Sequence, residues 1–277
     1  MTFMKKPITG NALLVAAFLV PMSGTAATFD IQVTYTGGLT LSQQNMFSAA
    51  EAFWEKAITG YTTAFAVSAL AISAAGVAID GVGGVLGSAG PVAGLVASDV
   101  NIYYATKGTI QLDTADLAAA EAGGSLFNII LHEMAHVIGF GTLWNTKGMG
   151  GAYAGTQSVY AIDTGEYTGS NALATYQVEF DPLATFIPVE LDGGPGTANS
   201  HWDEAWAGGP NELMTGFLNM PTFVSDTTIA SFADIGYTVN LAANDVAKVP
   251  LPASLALMGL GLGLMGWARR RRDFDIA

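Results

Sequence analysis

The sequence contains no cysteine. That absence excludes disulfide staples, a thiol nucleophile, and a thiolate that could block a metal in a latent precursor. Packing must hold the fold together, and a central stretch of about 220 residues is long enough to bury its own core. Basic residues are also scarce, with ten Lys and Arg against 23 Asp and Glu and a formal net charge of -13. Lys5, Lys6, Lys248 and Arg269–Arg272 lie near the ends, so residues 28–247 retain only Lys56, Lys107 and Lys147 while keeping 21 of the acids. A surface this acidic argues against nucleic acid as a partner. It suits an exported soluble protein, with Ca2+ in the acidic loops as an accessory expectation. Two motifs are missing as well. No Gly-x-Ser-x-Gly occurs, which removes the ground for a serine hydrolase. The run Asp80-Gly81-Val82-Gly83-Gly84 has no Lys-Ser or Lys-Thr after it, which argues against a phosphate-binding loop.

The two ends read as export signals. Residues 1–27 begin with Lys5 and Lys6, continue through the apolar run Ala12–Val20 and close on Gly24-Thr25-Ala26-Ala27. This is the plan of a secretory signal peptide, with cleavage expected after Ala26 or Ala27. At the other end, Val249-Pro250-Leu251-Pro252-Ala253 leads into an apolar run up to Ala268 and then Arg269–Arg272. A run of about sixteen to eighteen residues is at the short limit for a transmembrane helix. The arginines would keep its far end in the cytoplasm and the main domain outside. The Pro-Leu-Pro, the glycine-rich apolar run and the arginine cluster resemble a C-terminal sorting signal of the PEP-CTERM type. That resemblance implies an exosortase-like processing enzyme in a Gram-negative bacterium and a tail that anchors the protein in the inner membrane at first. The mature protein would then reside in the periplasm, at the cell surface or outside the cell. A permanent single-span anchor is the other reading of this segment. The expected division is a signal peptide over 1–27, a catalytic domain over 28–247 and a sorting segment over 248–277.

Within the central stretch, Phe29, Ile31, Val33 and Tyr35 alternate with more polar residues, which predicts a half-buried strand ending at Gly37-Gly38. Ser42 is the candidate N-cap of a helix whose stripe of Phe47, Ala50, Phe53, Trp54, Ala57 and Ile58 runs to Gly60. A second strand is expected over 65–72, turns and a mobile loop over 76–94, and two short strands over 101–105 and 109–112. Asp113-Thr114-Ala115-Asp116 reads as a turn that starts a small helix. Ser125 is the expected cap of a longer helix over 125–138. Its Leu126, Ile130, Met134 and Val137 would face the core while the opposite face looks into a cleft.

Histidine is the third scarcity, and it decides the functional reading. The chain has three: His132, His136 and His201. His132 and His136 lie four apart in Leu131-His132-Glu133-Met134-Ala135-His136-Val137-Ile138-Gly139. On a helix their imidazoles leave one face a turn apart and can share a zinc ion. Glu133 beside them can reach a water on that ion without ligating it, the placement that a general base in peptide hydrolysis requires. If three imidazoles hold the zinc, His201 is the only third ligand the chain offers. Gly139 permits a positive φ and a sharp turn toward it.

The run Gly108-Thr109-Ile110-Gln111-Leu112-Asp113-Thr114-Ala115-Asp116-Leu117 followed by His132–Trp144 resembles the leishmanolysin family of metalloproteases, especially its compact bacterial members. Most metzincins, the wider clan, place a third histidine three residues after the glycine, where this chain has Thr142. The leishmanolysin-like enzymes insert a long segment first, and Ser200-His201-Trp202-Asp203-Glu204 fills that role here. Asn211-Glu212-Leu213-Met214-Thr215-Gly216 is similar to the family's Met-turn, which implies that Met214 packs beneath the zinc without ligating it. Ser231–Tyr237 resembles the closing helix and turn. The resemblance implies an α+β, metzincin-like fold: an N-terminal mixed sheet with two main helices, a mostly irregular C-terminal subdomain, and a cleft between them. The chain departs from the eukaryotic members in having no cysteines for their disulfides, and neither their pro-segment nor their extra C-terminal domains are expected.

The expected activity is that of an exported zinc metalloendopeptidase acting on proteins or peptides, with Zn2+ on His132, His136 and His201 and Glu133 moving the proton. Trp144, Tyr153, Trp202 and Trp206 are candidate substrate contacts, although large aromatics more often belong to a core. Asp203, Glu204 and Glu212 are candidate acceptors for the ligands' second ring nitrogens. The rival reading is a non-catalytic surface, matrix or adhesion module that uses the zinc structurally. Such a module has no need of Glu133 and usually closes the fourth metal position with a protein ligand.

Overall fold

The computed structural model describes residues 28–63, 67–97, 100–147 and 155–246. The expected signal peptide, the C-terminal sorting segment from Lys248 onward and Tyr153 lie outside them. Strand β1 (Ile31–Gly37) leads to helix α1 (Leu41–Ala57) and the short strand β2 (Ile58–Tyr61). The cap of α1 is Thr40, not Ser42. The Thr40 hydroxyl accepts the Gln43 amide while the Gln43 side chain accepts the Thr40 amide. That reciprocal box satisfies two amides, which a cap at Ser42 would leave open. Phe47, Ala50, Trp54 and Ala57 of the expected stripe are buried.

Strands β3 (Leu70–Val77), β4 (Gly87–Ala97) and β5 (Ile102–Asp113) complete a four-stranded mixed sheet in the order β1-β3-β5-β4. The first three are parallel, and β4 runs antiparallel at the edge. Three expectations change here. The second strand begins at Leu70 and continues through Gly76. The two short strands are one, because Gly108 stays in register opposite Ile72. A Cβ at Gly108 would come within 2.2 Å of Val137 Cγ1, so this glycine admits a helix close to the sheet and does not break the strand. Residues 87–94 of the expected loop belong to strand β4, whose Pro91 is tolerated at an edge.

Helices α2 (Leu117–Gly123) and α3 (Leu126–Ile138) follow. Ser125 makes no side-chain cap for α3; its hydroxyl donates to the Ala120 carbonyl at 3.4 Å and closes α2 instead. Asn128 and His132 are half-exposed on one side of α3, and the rest of the helix is largely buried. Leu126, Ile129, Ile130, Leu131, Met134, Ala135, Val137 and Ile138 are buried together with Glu133 and His136. A helix buried over most of its surface runs through the core and leaves one narrow side open. It packs against β4, β5 and α1, and Trp54 Nε1 fastens α1 to it through the Leu131 carbonyl at 3.0 Å.

Past Gly139 come β6 (Glu166–Tyr167), α4 (Ser170–Glu179), β7 (Ile187–Pro188), α5 (Asp226–Asp234), β8 (Tyr237–Val239) and a 3-10 turn at Leu241–Val246. Strand β8 pairs antiparallel with β2 and ties the end of the domain to its beginning. The described residues thus form an α+β fold with five helices and a mixed sheet. No helix among them is long and apolar enough to cross a membrane.

Candidate metal centre

Helix α3 stops at Gly139, where φ is 143° and a Cβ would sit 2.8 Å from Ile235 Cδ1. Conformation and space both call for glycine there. At Gly141 (φ 71°) a Cβ would meet the Ser200 carbonyl oxygen at 2.4 Å. The turn therefore presses directly on the residue before His201, and this close approach brings the third histidine to the helix. Thr142, in the position where other metzincins carry their ligand, donates its hydroxyl to the His136 carbonyl at 2.7 Å and closes the helix end.

His201 is fixed through its neighbours. Its carbonyl accepts the Glu190 amide at 2.9 Å, and the Trp202 amide donates to the Met214 carbonyl at 2.9 Å. Trp202 Nε1 donates to the Thr228 hydroxyl at 2.8 Å. Trp202 stacks on Trp144 and Trp206, with ring centroids 5.2 and 5.6 Å apart. All three tryptophans are buried. They form an aromatic core behind the histidine and do not line a substrate groove, because stacked rings gain more from burial than from exposure.

The three Nε2 atoms converge on a triangle with sides of 3.0, 3.0 and 3.1 Å. Each Nδ1 faces a carbonyl: His132 that of Leu213 at 2.7 Å, His136 that of Phe140 at 3.0 Å, His201 that of Thr197 at 2.8 Å. A carbonyl can only accept, so each Nδ1 carries the proton and each Nε2 presents a bare lone pair. Three lone pairs aimed at one point repel one another unless a cation lies among them. Tetrahedral zinc, with bonds of about 2.0–2.1 Å, sets its ligand nitrogens roughly 3.3 Å apart, close to this spacing. These histidines are the one group of His, Cys, Asp and Glu among the described residues able to hold a metal ion. Burial lowers the pKa of all three, taking His201 to about 3 and His136 well below its usual range. Burial thus favours the neutral form that ligates.

The supporting acceptors are not the expected carboxylates. Asp203 accepts the Ala205 amide and Glu204 the Phe217 amide. Glu212 accepts the Met214 amide, the amide and hydroxyl of Ser225, and the Thr228 hydroxyl. Glu212 therefore shapes the turn that carries the Leu213 carbonyl to His132 and buries Met214 completely. The acidic loops behave similarly. Asp113 accepts the amides of Asp80, Gly81 and Ala115, each at 2.9 Å, so its oxygens hold the backbone of that loop.

Glu133 is 7% exposed, and no donor among the described residues reaches its carboxylate. Burial pushes its pKa up to about 8. Strand β4 lies against it: a Cβ at Gly87 would come within 2.7 Å of Glu133 Oε1. This close approach of Gly87 to Glu133 is one that the sequence alone did not reveal. Its only trace there is the small-residue run Gly87-Ser88-Ala89-Gly90, which spells a turn as readily as a strand.

Three neutral imidazoles converging on one point make a candidate metal centre, and Glu133 follows His132 on the same helix. The sequence profile of the leishmanolysin family (peptidase family M8) matches residues 98–254, more than half of the chain, and the chain belongs to that family. The match takes in β5, α3, all three histidines and Met214 but not Gly87. Residues 248–272 match the PEP-CTERM protein-sorting motif. No curated protein matches the chain.

Proposed function

We propose that the protein is an exported, zinc-dependent metalloendopeptidase. His132, His136 and His201 hold the ion through Nε2, and Met214 forms the buried floor beneath it. When bound, the zinc supplies the Lewis acidity that polarises the scissile carbonyl and acidifies water. Glu133 takes the proton of the attacking water and returns it to the leaving amine. Its lack of internal donors supports that role, because a carboxylate saturated by amides is a poor base. The carbonyls of Leu213, Phe140 and Thr197 hold the imidazoles in the tautomer that presents Nε2.

Strand β4 pairs with β5 on one side and has no partner on the other among the described residues. An extended peptide can add to that free edge through main-chain hydrogen bonds and run past Glu133 beneath Gly87. We place the cleft there, between the sheet half and the segment after Gly139. Residues 28–247 are then the catalytic domain, 1–27 a signal peptide, and 248–277 a sorting tail that an exosortase-like enzyme processes. The protein acts on proteins or peptides in the periplasm, at the cell surface or outside a Gram-negative cell.

The observation that carries this reading is the convergence of three Nε2 atoms on one point, on a helix whose Glu133 carboxylate meets no donor among the described residues. A structural zinc module has no use for such a group. Its test is incubation of the purified full chain with a denatured protein, with and without a chelator, next to Glu133→Gln. Chelator-sensitive cleavage is expected, and the variant is expected to lose about a thousandfold in kcat with its metal content unchanged. Parental turnover by the variant would contradict the assignment of the base. Bound zinc without any cleavage would favour the non-catalytic module.

A further inference from the structure

The loop that follows the Met214 turn shows its apolar side chains to solvent. Phe217 is 58% exposed, Leu218 37%, Met220 51% and Phe223 40%. The polar side chains around it hold its backbone. Asn219 Nδ2 donates to the Pro210 carbonyl and Asn211 Nδ2 to the Pro221 carbonyl, both at 2.9 Å, and the Thr222 hydroxyl donates to the Asn219 carbonyl at 2.7 Å. No charged residue occurs from Phe217 to Ser225. Exposed apolar residues commonly stand singly on a surface, so four within one short loop mark a contact surface. Such a loop gives up little hydration of polar or charged groups when water leaves it.

The chain leaves the domain beside this loop. Asn244, in the last turn of the described residues, donates to the Val224 carbonyl at 2.5 Å and to the Asp226 carboxylate at 3.2 Å. Asn244, Thr222 and Phe223 line one cavity with Asn128, whose amide meets Met220 Sδ at 3.5 Å. The match to the sorting motif begins at residue 248, and its apolar run is under way by Ala253. The stretch from Val246 to Ala253 spans at most about 25 Å even when extended. A domain of ~220 residues is roughly 45 Å across. An anchor in that run therefore holds this side of the domain to the membrane and the opposite side away from it.

We propose that the loop Phe217–Phe223 is a membrane-contact surface whose apolar side chains rest in the lipid interface while the uncut tail anchors the chain. The proposal rests on the reading of residues 248–277 as a tail that anchors the protein before it is processed. Charge favours a bilayer over a second copy of the chain as the occupant. Residues 28–247 carry 21 acids against three lysines, so two copies repel, whereas a zwitterionic lipid surface does not repel them. Phenylalanine, leucine and methionine side chains gain by leaving water for the headgroup boundary, and the anchor removes most of the cost of bringing them there. By itself the patch is too small to hold the protein, so cutting the tail ends the contact.

The chain has no cysteine, so a single introduced one can carry an environment-sensitive fluorophore. The test labels the full chain at Leu218→Cys, or at Leu41→Cys as a control, and reconstitutes it through its tail in phosphatidylcholine vesicles that contain nitroxide-bearing lipid. Leu41 is 73% exposed and lies about 24 Å along α1 from Ala57, whose carbonyl accepts the Asn240 amide just before the C-terminal turn. The label at 218 is expected to shift to shorter wavelength and lose at least about half of its emission, and the label at 41 to keep nearly all of it. Phe217→Ser together with Met220→Ser should roughly halve the quenching at 218 while the tail keeps the chain on the vesicles. No shift at 218 on vesicles that carry the chain, equal quenching at 41, or quenching at 218 unchanged by the two serines would overturn the contact and leave the anchoring tail and the peptidase reading standing. A concentration-dependent shift at 218 without vesicles would assign the loop to a second copy and overturn the proposal. Failure of the full chain to join vesicles at all would overturn both the contact and the anchoring tail.

Discussion

Glu133 is distinguished from Glu212, another buried carboxylate, by what it lacks. Both are buried, but Glu212 receives two amides and two hydroxyls whereas Glu133 receives no donor among the described residues. A saturated carboxylate holds structure and an open one can move a proton. Asp113 belongs to the first kind. Its backbone donors hold its pKa at about 2, against 3.8 for a free aspartate. A folded value below the free one means that these bonds stabilise the fold above about pH 4 and fade as the pH falls toward 2. Asp113→Asn is therefore expected to unfold at lower denaturant concentration than the parent at neutral pH, with the gap narrowing below about pH 4. A gap that stayed constant with pH would refute this account of Asp113. At this scale the three histidines that converge were legible, because His132, His136 and His201 are the chain's only histidines and two of them share a helix face. The second-ring acceptors were not, because backbone carbonyls leave no mark in a sequence.

Elements place these residues, and strand β4 is the one whose sequence was least informative. Glycines, alanines and a proline carry no β periodicity, yet cross-strand pairing with β5 and packing on α3 make a strand of them. Gly87→Val is expected to push the Glu133 carboxylate aside and to lower kcat/KM by about a hundredfold, since a misplacement of about 1 Å costs that much. Circular dichroism should show the fold retained. A variant as active as the parent would mean that β4 does not set the base. Helix α3 was expected to face a cleft on its histidine side, and Asn128 and His132 are half-exposed there while most of the helix is buried. Trp202 links the segment around Met214 to the third ligand. Trp202→Ala is expected to cost about 3–5 kcal/mol in unfolding experiments and to weaken metal retention as His201 loses its support. Loss of stability with unchanged metal affinity would separate the aromatic core from the metal centre.

Across the whole molecule, scarcity of cations is met by letting carboxylates bond the backbone. Asp113, Glu179, Glu212 and Asp234 each accept main-chain amides from distant segments. With no disulfides available, these bonds and the buried aromatics tie together loops that have little regular structure. The closing pair β2–β8 belongs to the same scale. Strands of four and three residues at opposite ends of the domain carry too little pattern to be matched by sequence alone, and only the packed fold brings them together. Within this frame three Nε2 atoms lie within 3.1 Å of one another. The most direct measurement is peptide hydrolysis by the full chain, stripped of metal by a chelator, as zinc is added back. The account predicts no turnover in the stripped protein and full recovery at one equivalent of zinc. Turnover that persists without metal, or zinc taken up at one equivalent with no hydrolysis, would contradict it.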